Sequence, residues 1–142
     1  MRFYLDTNIL VFMLTGHLES VCPEVLDLVT DYTSRVYTSG VCVHELVHLQ
    51  QIGKLEMRSR AKKEPRAVDI LEWLRSNGIG VKFVEERHIK AFSGLPILGD
   101  HRAPFDCLII AQAIADRIPL VSSDRKFALY TSSGLDFILN ER

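Results

Sequence analysis

The stretch that decides the fold is the first ten residues, Met1-Arg-Phe-Tyr-Leu-Asp-Thr-Asn-Ile-Leu10. Residues 3–5 form a short apolar run of the kind that favours a β-strand, and the polar trio at 6–8 ends it. Residues 9–14 are apolar again, which predicts a helix directly after the strand. In open α/β sheets, ligands bind beyond the carboxyl ends of the strands. We therefore expect Asp6 to be the first of several acids that meet at this edge.

The composition indicates a globular protein with one domain spanning residues 1–142. Of its residues, 47% are hydrophobic and 25% are charged, which is enough apolar material for a buried core. No apolar run approaches the ~20 residues of a membrane-spanning helix, and charges interrupt the N-terminus where a signal peptide would be apolar. We therefore expect a cytoplasmic protein.

The net charge of −1 predicts no overall attraction to nucleic acid, so any such attraction would need a local basic patch.

Strands and helices are expected to alternate along the rest of the chain. Apolar, β-prone runs predict further strands at 36–41, 81–84, 118–121 and 135–139. Apolar residues at helical spacing predict helices at 19–32, 43–52, 68–76, 85–92 and 104–115. Residues 93–103, with Gly, Pro and charged side chains, predict a loop. Such alternation is typical of the α/β class, with a mainly parallel sheet and right-handed crossovers.

Four acids fall at related positions of this pattern. Asp6 ends the first strand, and Glu45 opens the helix after the second. Asp106 opens the helix before the fourth strand, and Asp124 ends that strand. Ends of parallel strands share one sheet edge with the starts of the helices that follow, so Asp106 reaches this edge only if the loop 93–103 returns along it. We predict that all four meet there; the alternative is that each acid only caps a helix or ends a strand.

A cluster of carboxylates has a definite chemistry. Neighbouring carboxylates raise one another's pKa, and a hard divalent cation relieves this repulsion. Oxygen ligands favour Mg²⁺ or Mn²⁺ over Zn²⁺, and one or two such ions can hydrolyse a phosphodiester by activating a water and stabilising charge. Polar neighbours of the acids are expected to orient the carboxylates or a bound water; they are Thr7, Asn8, Ser122 and Ser123.

The sequence resembles the PIN-domain ribonucleases and, within them, the VapC-type toxins of bacterial and archaeal toxin–antitoxin pairs. The resemblance rests jointly on four parts of the chain: Tyr4-Leu-Asp-Thr-Asn-Ile9, Glu45 after a Ser/Val-rich strand, Asp100-His-Arg-Ala-Pro-Phe-Asp-Cys-Leu-Ile-Ile-Ala-Gln-Ala113, and Leu120-Val-Ser-Ser-Asp124 followed by Lys126-Phe127. It implies a three-layer α/β/α sandwich around a mainly parallel sheet. It also implies Mg²⁺- or Mn²⁺-dependent cleavage of RNA, a homodimer, and inhibition by a small cognate antitoxin protein. The acids that it assigns to metal binding and catalysis are Asp6, Glu45, Asp106 and Asp124.

The chain departs from this family pattern at one position. Close relatives in the subgroup carry Asp-Pro-Phe-Asp, whereas the first acid is replaced here by Ala103. That acid is not one of the four, so activity is expected to survive, with a catalytically weakened RNA-binding domain as the alternative. His101 is expected either to lie near the scissile phosphate or to fix the loop.

A competing motif is His44-Glu-Leu-Val-His48, which matches the H-E-x-x-H helix of zinc proteases. Two imidazoles four residues apart share a helix face, and the glutamate activates a zinc-bound water. The longer form of the motif fails, because Gln51 and Lys54 stand where Gly and His are needed. A distant third ligand, Glu64 or Glu72, has no support. The motif would leave the other three acids without a role, so a zinc metalloprotease is the alternative hypothesis.

Residues 53–66 contain the strongest local excess of basic side chains. Such a run is typical of a solvated helix face or a mobile arm. It is also compatible with contacts to a phosphate backbone or with the docking of an acidic partner. The sequence leaves these three interpretations open.

Overall fold

The computed structural model describes residues 1–55, 67–98 and 103–141 and has a five-stranded parallel sheet flanked by helices. The strands are β1 (Arg2–Leu5), β2 (Arg35–Ser39), β3 (Ile79–Lys82), β4 (Leu120–Ser122) and β5 (Phe137–Leu139). The helices are α1 (Thr7–Leu14), α2 (Pro23–Thr30), α3 (Gly40–Gln51), α4 (Ala67–Ser76), α5 (Glu86–Ser93) and α6 (Pro104–Asp116), and 3₁₀ segments run over Leu18–Ser20 and Arg125–Ser133. The predicted α/β class and α/β/α sandwich are confirmed.

The order of the strands places β1 at the centre of the sheet. The order is β3-β2-β1-β4-β5, and all four pairings are parallel. Strands β2 and β3 therefore lie on one side of β1, and the later strands β4 and β5 lie on its other side. In open α/β sheets such a reversal leaves a crevice at the carboxyl ends of the strands. Residues that follow β1 and β4 consequently lie next to each other, and β5 lies at a sheet edge.

The core explains why the last three residues of β1 are apolar. Phe3, Tyr4 and Leu5 are each at most 2% exposed, because helices cover both faces of a parallel sheet and leave no face in water. Ile109 and Ile110 of α6 are also buried and belong to the same core. The centre of the sheet is therefore a rigid support for the residues that follow β1.

Two helices differ most from the predictions. The helix expected at 19–32 is divided into the 3₁₀ segment and α2, because Cys22 is extended and Pro23 starts a new helix. Helix α3 begins at Gly40 rather than near residue 43, because the Ser39 hydroxyl accepts a hydrogen bond from the Val41 N–H and caps the helix there. Glu45 therefore lies in the second turn of α3, and the prediction that it opens this helix was wrong.

Some predictions concern residues outside the described ranges. They include most of the basic stretch, residues 56–66, together with His101 and Glu64. The return path expected for the loop before α6 includes residues 99–102, which are also outside these ranges. In the part of the chain that is described, no helix is both long and apolar enough to cross a membrane.

Candidate active site

A cavity of about 320 Å³ opens at the carboxyl edge of the sheet. All four predicted acids line it: Asp6, Glu45, Asp106 and Asp124. The remaining lining residues are Thr7, Asn8, Val11, Phe12 and Leu49. The acids come from the end of β1, from α3, from the first turn of α6 and from the segment after β4. The structure thus brings together residues that are far apart in sequence, and we call this cavity the acidic pocket.

Asp6 is the fixed member of the acidic pocket. It is only 5% exposed, and its Oδ1 accepts a hydrogen bond from the Thr7 N–H at 2.8 Å, which caps α1. Its Oδ2 accepts from the Ser122 hydroxyl at 2.7 Å and from the Asn8 amide at 3.2 Å. Both carboxylate oxygens are therefore held by neighbours on α1 and β4.

The electrostatics of Asp6 show that the acids influence one another. Burial raises the pKa of Asp6 to about 7, and repulsion from Asp106 and Glu45 adds to this rise. The hydrogen bonds from Ser122 and the Thr7 N–H oppose the rise, because they stabilise the ionised carboxylate. Ionising Asp6 in this pocket is therefore unfavourable, and a bound cation would remove that penalty.

Glu45 approaches the pocket from the second turn of α3. Burial and the charge of Asp106 raise its pKa, while the nearby Thr7 hydroxyl and His44 lower it. The Thr7 Oγ1 is buried and has no partner at hydrogen-bond geometry among the described residues. A buried polar atom without a partner is rare in folded proteins. Here it adds one more oxygen to the wall of the acidic pocket.

Asp106 and Asp124 line the pocket from α6 and from the segment after β4. Asp106 lies in the first turn of α6, where the helix dipole favours a carboxylate. Asp124 lies two residues beyond the end of β4, rather than at its end as predicted, and it caps the following 3₁₀ segment by accepting from the Lys126 N–H at 3.0 Å. Its own N–H donates to the Ser122 hydroxyl at 3.0 Å. That bond ties the position of Asp124 to the residue that holds Asp6.

Three of the four predicted polar helpers contact the acids or the pocket through their side chains. Thr7 and Asn8 line the pocket, and Ser122 holds Asp6. Asn8 also joins the two strand ends, because its Nδ2 donates to the Ser122 hydroxyl at 3.1 Å and its Oδ1 accepts from the Ser123 N–H at 3.1 Å. The Ser123 hydroxyl instead accepts a hydrogen bond from Asn140. Ser123 therefore supports this edge mainly through its backbone.

Asn140 is a supporting residue that the sequence analysis missed. It directly follows β5 and is 1% exposed. Its Nδ2 donates to the Ser123 hydroxyl at 2.8 Å and to the Ser20 carbonyl at 2.9 Å, and its Oδ1 accepts from the Cys22 N–H at 2.7 Å. It therefore fastens the segment that carries Asp124 to the connection before α2. An asparagine after a short strand is the only sequence signal, and that signal is weak.

The donor chemistry of the acidic pocket fits a hard divalent cation, because carboxylate, hydroxyl and amide oxygens line it and the described residues offer the buried Thr7 hydroxyl no partner at hydrogen-bond geometry. The side chains are not arranged as a closed ligand set. Within residues 1–55, 67–98 and 103–141, no three His, Cys, Asp or Glu side chains form a group that could hold one ion as they stand. The same finding covers the zinc motif, where His44 and His48 are exposed on α3 and the glutamate between them lines the acidic pocket.

Comparison with known proteins identifies the family. The PIN domain family model matches residues 3–131, so the chain belongs to the PIN domain family. No curated protein matches the sequence. The fold resembles that of VapBC2 from Rickettsia felis, solved bound to a DNA fragment from its promoter, with a TM-score of 0.69 at 20% identity, over 99% of this chain and 100% of that one.

Two further solved structures have the same fold. VapBC-1 from nontypeable Haemophilus influenzae has a TM-score of 0.65 at 18% identity, and the match covers 98% of each chain. VapBC-5 from Mycobacterium tuberculosis, a member of the VapBC family of toxin–antitoxin systems, has a TM-score of 0.58 at 17% identity, over 97% of this chain and 98% of that one. At such identities the likeness concerns the fold.

Proposed function

We propose that this PIN domain is a divalent-metal-dependent endoribonuclease that acts as the toxin of a toxin–antitoxin pair. The observation that carries the proposal is the acidic pocket, where four acids from four separate segments line one cavity. Repulsion among them contributes to the raised pKa values of Asp6 and Glu45. An active site that brings a divalent cation and a phosphate together needs several oxygen ligands close to one another.

The proposed division of labour follows from how firmly each acid is held. Asp6 is the rigid anchor, because three hydrogen bonds fix both of its oxygens. Glu45, Asp106 and Asp124 are half-buried, so we expect them to turn inward onto Mg²⁺ or Mn²⁺ against this anchor. The ion would lower the pKa of a water and stabilise charge on the phosphate. Thr7 and Asn8 would orient that water or the phosphate by hydrogen bonds.

The partner assignment rests on the fold. The similar structures include VapBC complexes, one of them named as belonging to a family of toxin–antitoxin systems. We propose that this chain likewise acts in the cytoplasm as a homodimer and is inhibited by a small cognate antitoxin. A short reading frame directly upstream, co-expressed with this chain, would be expected to yield a copurifying protein that suppresses RNA cleavage. Size-exclusion chromatography with light scattering would measure the stoichiometry.

The direct test of the nuclease is RNA cleavage by purified protein in Mn²⁺, in Mg²⁺ and in EDTA. We expect cleavage with either ion and none in EDTA. Asp106→Asn should reduce the rate by at least ~100-fold, the upper range seen when the surroundings of a metal site are altered. Asp27→Asn is the matched control, because Asp27 is an exposed acid on α2 outside the acidic pocket. Equal rates for wild type and Asp106→Asn would contradict the proposal.

The two alternative functions, a zinc metalloprotease and a catalytically weakened domain, predict different results with the same purified protein. For a zinc metalloprotease, the purified protein would contain stoichiometric zinc that His48→Ala removes; for the nuclease, His48→Ala should leave RNA cleavage intact. For a catalytically weakened domain, RNA would bind but would not be cut in any metal. Ala103 stands where close relatives carry an acid. It is the N-cap residue of α6 and does not line the acidic pocket. This position favours a structural role for the missing carboxylate and an active site that is intact.

A further inference from the structure

Two exposed aromatic rings contact each other beside the acidic pocket. The Phe105 side chain on α6 is 53% exposed, and the imidazole of His44 on α3 is also exposed. Their ring centroids are 6.2 Å apart and their planes are inclined by 48°, which is an ordinary aromatic contact between two helices. Each ring belongs to the residue directly before an acid of the pocket, Glu45 or Asp106. His44 is close enough to Glu45 for its charge to lower the pKa of that carboxyl.

The position of this aromatic pair distinguishes it from other exposed apolar groups. Single exposed apolar side chains are common and need no explanation. Tyr32, for example, is 96% exposed and precedes β2, at the opposite edge of the sheet from the acidic pocket. In contrast, His44 and Phe105 come from different helices and contact each other, and each directly precedes an acid that lines the pocket, although neither ring lines it. Nothing in the described part of the chain covers the exposed half of the Phe105 ring.

The charges of the pocket create a problem for an RNA substrate. Carboxylates repel a phosphate backbone, and the net charge of −1 provides no overall attraction to compensate. A bound cation attracts the phosphate that it contacts, and contacts that do not depend on phosphate charge would strengthen the binding of RNA further. Stacking of a nucleobase on an aromatic side chain is such a contact, and it tolerates any base because each base has a π face.

We propose that His44 and Phe105 form a stacking platform for one unpaired nucleobase next to the phosphate held at the acidic pocket. This inference rests on the proposed nuclease function and makes it more specific. A base in a duplex is already stacked on both sides, so the platform selects single-stranded segments and loops. Both residues are positioning residues for the substrate, and the acids keep their own role in the chemistry.

Substitution of the rings tests the platform. Phe105→Leu keeps an apolar side chain of similar size but removes the aromatic face, and Phe105→Trp restores one. With a short fluorescein-labelled single-stranded RNA in Mn²⁺, we expect Phe105→Leu to raise KM by about 5- to 100-fold, the effect of losing one stacked base, with little change in kcat. Phe105→Trp should return KM to near the wild-type value, and His44→Leu should raise it as well. Tyr32→Leu is the matched control at an exposed aromatic residue near the opposite edge of the sheet, and it should have no effect.

A second arm uses RNAs that each contain one abasic nucleotide at a different position. One of these should raise KM for the wild type and have no further effect on Phe105→Leu, because the stacked base and its platform are then both absent. If every abasic position raised KM by the same factor in Phe105→Leu as in wild type, the inference would be overturned. Equal KM values for wild type, Phe105→Leu and His44→Leu on intact RNA would overturn it as well. If the Leu variants cut RNA normally but no longer bind the antitoxin, the rings belong to a protein interface. A wild type that cuts no RNA would refute the nuclease proposal itself, which separates the two failures.

Discussion

The buried carboxyl of Asp6 should make the metal-free protein less stable as the pH rises. Its pKa is about 7 in the folded protein, against 3.8 for an ordinary aspartate. The folded state therefore binds more protons than the unfolded state between these values, so the free energy of unfolding is greatest below pH 4 and falls as the pH rises towards 7. A displacement of about three units corresponds to about 4 kcal/mol in total. Between pH 5 and pH 8 the expected loss is about 2.5 kcal/mol.

The perturbation that isolates this effect is Asp6→Asn. Asparagine keeps an oxygen that can accept from the Thr7 N–H and cap α1. It places an amide N–H₂ towards Ser122 and Asn8, where the carboxylate accepted hydrogen bonds, which costs about 1–3 kcal/mol at every pH. The amide does not titrate. Subtracting the free energy of unfolding of wild type from that of the variant at each pH therefore cancels the pH dependence of all other groups that the two proteins share.

Urea denaturation in EDTA, followed by the fluorescence of Trp73, measures the free energy of unfolding. From pH 5 to pH 8, the stability of Asp6→Asn relative to wild type should rise by about 2.5 kcal/mol. Adding Mn²⁺ at about 100 times its Kd at pH 8 should stabilise wild type by about 2.7 kcal/mol and the variant by much less. A difference between variant and wild type that is the same at both pH values would refute the argument. Asp27→Asn, at an exposed acid, is the control and should run parallel to wild type.

Three further predictions concern the supports of the pocket. Ser122→Ala removes a hydrogen bond that lowers the pKa of Asp6, so the acidic limb of the pH–rate profile for RNA cleavage should move to higher pH; an unmoved limb would show that Asp6 does not control it. Asn140→Ala leaves the Ser123 hydroxyl and two backbone groups without their partner, and urea denaturation should show a loss of about 2–3 kcal/mol; a loss below 1 kcal/mol would contradict this. Ala103→Asp supplies the missing N-cap of α6 and should add about 1 kcal/mol of stability with kcat unchanged, whereas a large rise in kcat would identify the lost acid as part of the chemistry.

The part of the site that could be predicted from sequence is the part fixed by sheet topology. Asp6 follows a strand whose last three residues are buried, and the apolar run at 118–121 indicated a second strand before Asp124. Parallel strands end at the same edge, so the relation between these two acids needed only the alternation of strands and helices. The pairing of β1 with β4 then makes them neighbours. Their meeting in one cavity follows from the same argument.

Local chemistry at the start of α3 could not be predicted from sequence. The predicted strand at 36–41 included Gly40, yet Gly40 is the first residue of the helix. A Cβ added at this position would lie 2.7 Å from a ring carbon of Phe83, forty-three residues later in the sequence, so the exposed Phe83 ring would have to shift. Glu45 still reaches the acidic pocket, because α3 packs against α1 and presents its second turn to the end of β1. Contacts between remote segments are the information that the sequence lacks.

The two roles of the Asp6 carboxylate explain why the site can be both fixed in place and dependent on a cation. Its Oδ1 starts α1 by capping the Thr7 N–H, and its Oδ2 accepts hydrogen bonds from Ser122 and Asn8, so the fold requires this side chain to stay where it is. Burial beside Glu45 and Asp106 nevertheless makes its ionised form unfavourable. The protein cannot relieve this conflict by moving Asp6 into water without losing the start of α1. A bound cation removes the cost of ionising Asp6 without any change in the fold. We therefore expect metal binding to stabilise the wild type most above pH 7, where the buried carboxylate is ionised.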